Sequence, residues 1–252
     1  MNKWVFALAL LIVSGVPAFA QDITVLLKKA AGAEAAFQED EALSFYKQAL
    51  RLQPHSVIAL CHCCDLCCRI GNRLADRGQR IGYFKTAFQY AQTAYRLDST
   101  NSEVNVMMGF SLGRLTLIQT NKERVETAVA IKHYAERAIH YDPTNYKAYI
   151  ILGRWNYEVS NLNFFERTFA RWFYGDLPSA SLAEAIRDYE KSLALRPDFM
   201  LNYFELAKAL HRDGQDKQAI GLLQKMEGLH DEMYDDRIVR MEGKKFVQEW
   251  SR

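Results

Sequence analysis

The sequence predicts an all-α protein made of stacked helix-turn-helix repeats, and three observations support this fold class. Proline and glycine are few, with 5 and 13 among 252 residues. Residues that favour helices, chiefly Ala, Leu, Lys and Glu, are plentiful, whereas the alternating pattern of a half-buried strand is hard to find. One pattern of small and large residues also recurs along the chain in a constant register, which indicates internal repeats.

The recurring pattern has a small residue, a larger residue four positions later, a small residue three further on, and a closing proline. In the clearest copy these are Ala185, Tyr189, Ser192 and Pro197. Small residues let helix backbones approach, a large side chain fills the space between them, and proline stops the helix. The pattern is typical of the second helix of a tetratricopeptide repeat, a unit of ~34 residues. Other copies begin at Ala42, Ala87, Ile131 and Ala219.

A first helix is predicted before each of these second helices. In the last repeat it has Tyr203, then Leu206 with Ala207, then Leu210 at the corresponding positions. We expect a right-handed superhelix of antiparallel helix pairs, in which a C-terminal capping helix covers the exposed face of the last repeat. The predicted repeats span residues 23–54, 55–100, 101–143, 144–197 and 198–227, and the capping helix spans residues 233–250.

Two further segments have their own predicted structure. Residues 1–20 have the order of a secretory signal: Lys3, an apolar run, and an A-x-A site that ends at Ala20. Cleavage there predicts a periplasmic or secreted protein, and an uncleaved membrane anchor is the alternative. The polar and basic run GNRLADRGQRIGYF at residues 71–84 predicts an exposed, elongated turn. A net charge of +2 gives no support to a nucleic-acid partner.

All five cysteines lie in the run CHCCDLCC. The repeat pattern puts Cys63, Cys64 and Cys67 on core positions, where a free cysteine acts as a small buried hydrophobe. Four ligands on one helix cannot surround a tetrahedral ion, because the helix blocks one side. We therefore predict core packing and no metal site. The alternatives are metal or redox chemistry together with a partner, and an outward pair, Cys61 and Cys68, for intermolecular coupling.

A second segment, residues 155–174, is dense in aromatic residues. One interpretation is a small aromatic core beneath an added helix over residues 163–174. The alternative is an apolar lid or a membrane-touching element, in which Arg167 and Arg171 meet anionic head groups. The candidate lid residues are Phe169, Trp172 and Phe173.

The sequence offers no set of residues arranged for catalysis. The six histidines are scattered, and we find neither an H-E-x-x-H motif nor a Gly-rich phosphate loop. Ser181 and Glu184 have the spacing of a capping box, which is a structural feature. We therefore predict a protein that is not an enzyme and needs no cofactor.

Three motifs support a resemblance to a known family. They are LGRW at residues 152–155, GDLPSAS at residues 175–181, and P-x-F-x-x-N-Y-x-x-L-A-K at residues 197–208. Together with the aromatic segment they resemble the regulator of microtubule dynamics family, over roughly residue 21 to the C-terminus. The resemblance implies a tetratricopeptide-like domain. Several animal members have membrane anchors and are linked to microtubules, mitochondria and lipid binding.

Stacked repeats curve, and their first helices line the concave face. The pattern predicts a mainly apolar groove with cations toward the last two repeats. Arg154 and Lys208 hold equivalent positions, so we expect them side by side. Either Glu158 or Glu205 neutralises them, or they receive the carboxylate or phosphate of a ligand. The predicted binding residues are Ile58, Cys61, Asp65, Val106, Phe110, Ile150, Arg154, Tyr157, Phe204, Lys208 and His211.

The sequence therefore predicts an exported, non-enzymatic scaffold that holds a protein or peptide partner in its groove. The alternative is a carrier of lipid or another amphiphile, which the apolar groove and the family resemblance both favour. A purely structural assembly factor of the cell envelope is the third hypothesis.

Overall fold

The computed structural model describes residues 18–162 and 178–251, with side chains from residue 23 onward except at residues 121 and 122. These ranges contain eleven α-helices, and the predicted all-α helical-repeat fold is confirmed. The short turn Thr116–Ile118 is a 3-10 helix. The helices are α1 (Ala18–Ala35), α2 (Glu39–Leu52), α3 (Val57–Arg73), α4 (Arg77–Leu97), α5 (Ser102–Leu115), α6 (Asn121–Tyr141), α7 (Tyr146–Ser160), α8 (Leu182–Leu195), α9 (Met200–Arg212), α10 (Asp216–Glu227) and α11 (Tyr234–Trp250).

Consecutive helices pack in pairs, and each pair stacks on the next. The pairs are α1 with α2, α3 with α4, α5 with α6, α7 with α8, and α9 with α10, while α11 packs on α10 and α9. Two clusters of buried apolar residues run through the stack. The first lies mainly in α1–α5, and the second joins α7 to the C-terminal helices. This distribution suits a repeat protein, in which each unit buries its surface against its neighbours.

Small side chains occupy the closest helix contacts. Tyr189, a large residue of the repeat pattern, is completely buried. A β-carbon at Gly153 of α7 would lie 2.9 Å from the Tyr189 ring atom Cδ1, so glycine is required where this ring meets the α7 backbone. The fully buried small residues of the second helices are Ala42, Ala49, Ala87, Ala91, Ala94, Ala135, Ala138, Ala185, Ser192 and Ala219.

The turns that precede two first helices are fixed by the same hydrogen bond. The hydroxyl of Tyr149 donates to the carbonyl of Pro143 at 3.2 Å. In the next repeat, the hydroxyl of Tyr203 donates to the carbonyl of Pro197 at 2.7 Å. Proline stops the preceding helix, and its carbonyl accepts from the helix that follows. The bond therefore links the turn to the helix that follows it at both places.

The predicted exposed turn over residues 71–84 is wrong, because α3 and α4 extend across most of it. Asp76 caps α4 by accepting from the Gln79 amide at 2.7 Å. Gly71 and Phe84 are buried, and a β-carbon at Gly71 would lie 3.0 Å from the Phe84 ring atom Cε1. Several polar residues of this run, such as Asn72, Arg77 and Gln79, are exposed on the surfaces of two long helices, so their contact with solvent does not require a loop.

The last helix contacts the first repeats. Arg73, at the end of α3, forms ion pairs with Glu39 of α2 and Asp235 of α11. Its Nη1 lies 2.5 Å from the Asp235 Oδ1. Arg237 of α11 lies over the Phe37 ring at 5.2 Å. These five residues form a clasp that joins α11 to the turn between α1 and α2. The last helix of the stack is thereby joined to its first repeats.

We expect the clasp to stabilise the fold, and Asp235→Asn tests this. The substitution keeps the side-chain shape but removes the charge that pairs with Arg73. The free energy of unfolding should fall by about 1–2 kcal/mol, since a hydrogen bond to a charged group contributes about that much at a partly exposed site. Urea denaturation followed by circular dichroism measures the change.

Glu242→Gln, on the exposed side of α11, is the matched control and should change stability by less than about 0.5 kcal/mol. Equal losses in the two variants would mean that the clasp adds no stability of its own.

Candidate binding surface and cavity

The predicted groove residues fall into two groups. Four of them are buried and contribute to packing: Cys61, Val106, Ile150 and Phe204. Neighbouring first helices, such as α3 and α5, lie close together. The four buried side chains therefore face another helix. The remaining seven keep part of their side chain exposed: Ile58, Asp65, Phe110, Arg154, Tyr157, Lys208 and His211. Ligand binding by any of them stays a prediction, and only the second group is accessible for it.

The groove at the last repeat is filled by the capping helix. Phe246 of α11 stacks on Phe204, with ring centroids 5.5 Å apart. Trp250 stacks on His211 at 4.0 Å, and the His211 Nδ1 lies 2.6 Å from the Asp216 Oδ1. Stacked rings exclude water from the apolar floor. Phe204 and His211 therefore belong to the interface with α11.

Arg154 and Lys208 share one carboxylate. The Arg154 Nη1 lies 3.6 Å from the Glu205 Oε1, and the Lys208 Nζ lies 3.0 Å from the Glu205 Oε2. Glu205 is only 4% exposed, and its charge raises the pKa of Arg154. Lys208 also lies over the Tyr157 ring at 5.6 Å. The two cations are side by side, as the sequence predicts, and Glu205 is the acid between them. The three charges sum to a single positive charge.

In the first repeats, the inner surface is occupied by charged side chains. Arg69 contacts Glu34 at 2.9 Å, Glu39 at 2.5 Å and Asp65 at 3.1 Å. Burial lowers the pKa of Arg69, but these carboxylates together raise it above its usual value. Glu34 also contacts His62 Nδ1 at 2.9 Å. This network of charged side chains contrasts with the mainly apolar groove that the sequence predicts, because the repeat pattern does not show which long side chains meet.

A cavity of about 550 Å³ lies between α5, α6 and α7. Much of its wall is apolar and includes Phe110, Leu117 and Ile151. Gly113 lines it as well, and an added β-carbon there would meet no heavy atom within 4 Å. Volumes of roughly 300–1,000 Å³ with mainly apolar walls are typical of small-ligand sites. Two of the predicted groove residues, Phe110 and Arg154, are thus brought together at one cavity.

Arg114 also lines this cavity and is missing from the predicted set. Its Nη1 donates to the Asn72 Oδ1 at 3.0 Å, and its guanidinium lies over the Phe110 ring at 5.1 Å. Its Nε is buried and has no hydrogen-bond partner. Burial lowers the pKa of Arg114, and repulsion by Arg154 adds to this. Arg114 follows Phe110 by four residues, so continuing the predicted face by one helical turn would have found it.

Solved structures show the same fold. The structure of TTC0263, described as a thermophilic TPR protein of Thermus thermophilus, superposes with a TM-score of 0.66 at 14% sequence identity. The match covers 90% of this chain and 99% of that one. At this identity the similarity concerns the fold alone.

The family is decided by a sequence model. The model described as regulator of microtubule dynamics protein 1-3 matches residues 26–251. The chain belongs to the regulator of microtubule dynamics family. Protein 3 of Xenopus laevis is 30% identical over 124 residues, which are 49% of this chain and 27% of that protein. Protein 1 of Mus musculus is 23% identical over 157 residues, which are 62% of this chain and 52% of that protein.

In this member of the regulator of microtubule dynamics family, all five cysteines are free and buried. The predicted core packing of Cys63, Cys64 and Cys67 is confirmed. The alternative of an outward pair is wrong, because Cys61 and Cys68 are also buried. α3 is surrounded by α2, α4 and α5, so these positions of the helix meet other helices instead of solvent.

Other sequence expectations concern metals, membranes and the aromatic segment. Among the described residues, no group of three His, Cys, Asp or Glu side chains could hold a metal ion. No described helix combines the length and apolarity needed to cross a bilayer.

The aromatic segment is described only in part. Trp155 is buried and its Nε1 donates to the Ala128 carbonyl at 2.7 Å. The candidate lid residues Phe169, Trp172 and Phe173, and the predicted added helix, lie outside the described residues.

Because all five thiols are buried, we expect them to resist labelling in the folded protein. Burial raises the pKa of Cys61, Cys63 and Cys67 to about 12, so the reactive thiolate is scarce at pH 8. Titration with a chromogenic disulfide reagent should detect almost no thiol in native protein and all five in guanidinium chloride. Rapid native labelling of one or two thiols, or stoichiometric zinc in protein purified without added metal, would contradict this assignment.

Proposed function

We propose that this chain is a non-enzymatic scaffold that binds a protein or peptide partner on its inner face. The helical-repeat fold supports this proposal, because stacked repeats create extended concave binding surfaces. The observation that supports the binding surface is the partly exposed strip formed by Phe110, Arg154, Tyr157 and Lys208, of which Phe110 and Arg154 also line the cavity. Aromatic residues and arginine, two residue types of this strip, are enriched at protein interfaces.

Charge and packing suit this surface to an acidic or amphipathic segment. Arg154, Glu205 and Lys208 retain one net positive charge, which would attract such a partner. Tyr157 lies beneath both Lys208 and Arg212, at 5.6 and 5.0 Å from its ring, so the ring is held in position before binding. A pre-positioned aromatic side chain loses little entropy when a partner packs on it.

The strip is tested by the combined change Arg154→Gln, Glu205→Gln and Lys208→Gln. Removing only the two cations would leave Glu205 buried and unpaired, which is destabilising, so all three charges are neutralised together. We expect the fold to persist and the dissociation constant for a partner recovered by crosslinking to rise at least about tenfold. The remaining binding should depend less on salt.

Arg96→Gln is the matched control. It also removes one net positive charge, but Arg96 is exposed on α4 and outside the strip. Binding should be unchanged in this variant. Parental affinity of the triple variant at low salt would show that the strip is not the binding surface.

Carriage of a lipid or another amphiphile is the second candidate function, and the cavity supports it. A cavity of about 550 Å³ whose wall includes Phe110, Leu117 and Ile151 could hold an aliphatic chain, with Arg114 and Arg154 near its head group. A native mass spectrum of protein purified without detergent separates the two proposals. One abundant lipid adduct favours the carrier, whereas its absence together with a crosslinked protein favours the scaffold.

We further propose that the protein is exported and processed after Ala20, which places it in the periplasm or outside the cell. The support is the order of Lys3, an apolar run and an A-x-A site in residues 1–20. We expect the intact mass of the exported protein to correspond to a chain that starts at Gln21. A chain that retains Met1 would contradict export by cleavage.

A further inference from the structure

The outer face of α11 exposes apolar side chains to solvent. Tyr234, Ile238 and Met241 are 43%, 41% and 72% exposed. Their spacing of four and three residues places them on one stripe of the helix. The opposite side of α11 packs on α10 and α9, and Asp236 and Gly243 are buried there. The helix that ends the stack therefore has an apolar outer stripe, although a terminal repeat needs a polar outer face to remain soluble.

This stripe follows the heptad repeat of a coiled coil. In heptads written abcdefg, the a and d positions are Tyr234, Ile238, Met241, Lys245 and Gln248. These five residues, called the seam below, are all exposed. Ile238 at a and Met241 at d form its apolar centre. A lysine at one a position, such as Lys245, fixes the register and the number of strands of a coiled coil at some cost in stability.

The two flanks of the seam carry opposite charges. The e positions hold the acids Asp235, Glu242 and Glu249, and the g positions hold the bases Arg237 and Lys244. In a parallel pair of helices, a g residue lies beside the e residue five positions later in the other helix, so every base meets an acid. In an antiparallel pair, e faces e and g faces g, so like charges meet. The charge pattern therefore favours a parallel partner with the same pattern.

Contacts within the chain hold the N-terminal end of α11 in place. Arg73 lies over the Tyr234 ring at 4.6 Å. Arg237 lies over the Phe37 ring at 5.2 Å, and its Nε is 3.4 Å from the Asp231 Oδ2. The Arg237 side chain nevertheless stays 60% exposed, so it can reach an acid of another helix. An isolated helix as short as α11 is barely stable in water, but here it is already folded, which lowers the entropy cost of association.

We propose that the partner of the seam is a second copy of this chain, and that two α11 helices associate in parallel as a two-stranded coiled coil. Arg237 then lies beside Glu242 of the second copy, and Lys244 lies beside Glu249 of the second copy. A second copy fits because one helix supplies both members of each charge pair. The stack of each copy lies on the far side of its own α11, so the two stacks extend away from each other.

This association goes beyond the proposed scaffold function and does not depend on it. The seam and the strip of the inner face share no residue, so each copy keeps its own binding surface. A dimer would present two such surfaces to one partner, which raises avidity without a new contact. Because the seam is only about two heptads long, we expect a weak, reversible dimer.

Sedimentation equilibrium of the full-length protein, from low to high micromolar concentration, tests the inference. We expect a monomer–dimer equilibrium. Ile238→Glu should raise the dissociation constant of the dimer at least about tenfold, because it puts a charge at the apolar centre of the seam. Val129→Glu is the matched control, since Val129 of α6 is 43% exposed and lies outside the seam. It should dimerise as the parent does, and thermal melts verify the fold of both variants.

Charge reversal tests the parallel orientation. Lys244→Glu puts two acids together in a parallel dimer and should raise its dissociation constant at least about threefold. Adding Glu249→Lys to this variant restores an opposite pair and should restore association. In an antiparallel dimer, by contrast, Lys244→Glu would face Arg237 of the second copy and strengthen association.

A disulfide crosslink gives an independent measure of orientation. Parallel helices bring the two copies of Gln248 together at a d position, so Gln248→Cys should form a disulfide-linked dimer on oxidation with copper phenanthroline in air. The five native cysteines are buried, so the parent should give little crosslink. Glu190→Cys, exposed on α8, is the control for random collision and should also give little.

Two sets of results would overturn the inference. A monomer at every concentration, or a dimer that Ile238→Glu leaves intact, would mean that the seam does not join two copies. A dimer that Lys244→Glu strengthens and that Gln248→Cys does not crosslink would contradict the parallel arrangement. Neither result bears on partner binding at the inner face, which the strip variants test separately.

Discussion

Close approach of helices at small buried side chains is the constraint on which the rest of this structure depends. The fully buried Ala49, Ala91, Ala138 and Ser192 stand at such contacts in successive second helices. A larger side chain at any of them would push two helices apart and alter every later repeat, because displacements accumulate along a stack. Gly153 shows how little room there is, since a β-carbon would lie 2.9 Å from the ring of Tyr189. The first helices, and with them the cavity and the inner face, take their positions from these contacts.

Ion pairs join helices that packing has brought together. Arg73 joins α2, α3 and α11 through Glu39 and Asp235, so the end of the chain is fixed to its beginning. Glu205 holds Arg154 and Lys208 in a similar way between α7 and α9. These partly buried pairs select one arrangement of the repeats, because breaking one would leave an uncompensated charge in a low-dielectric place. Arg114, whose Nε is buried without a hydrogen-bond partner, lines the cavity between α5, α6 and α7.

Residue patterns predicted the packing better than they predicted the exposed surfaces. The positions of Ala185, Tyr189 and Ser192 were found because their spacing reflects a helix periodicity that repeats. One alternative placed Cys68 on the outer surface of α3. Cys68 is buried, because neighbouring helices enclose α3 on several sides. The run at residues 71–84 looked like a loop because its polar side chains are solvated, and polarity alone does not separate a loop from the outer face of a helix. Arg114 was missed because the groove prediction stopped one turn too early in α5.

The sequence by itself determined the helix pairs, the small residues between them and the family, since these depend on spacing within short segments and on recognisable motifs. Tertiary structure alone decided which groove positions are open. Val106 and Phe204 are buried because α5 and α9 meet other helices there, and α11 covers Phe204 from the C-terminal end of the chain. It also decided that Glu205 balances two cations and that Arg114 has no acid beside it among the described residues. Such contacts join residues far apart in the chain, and their distances follow from the way all the repeats stack, which no local pattern encodes.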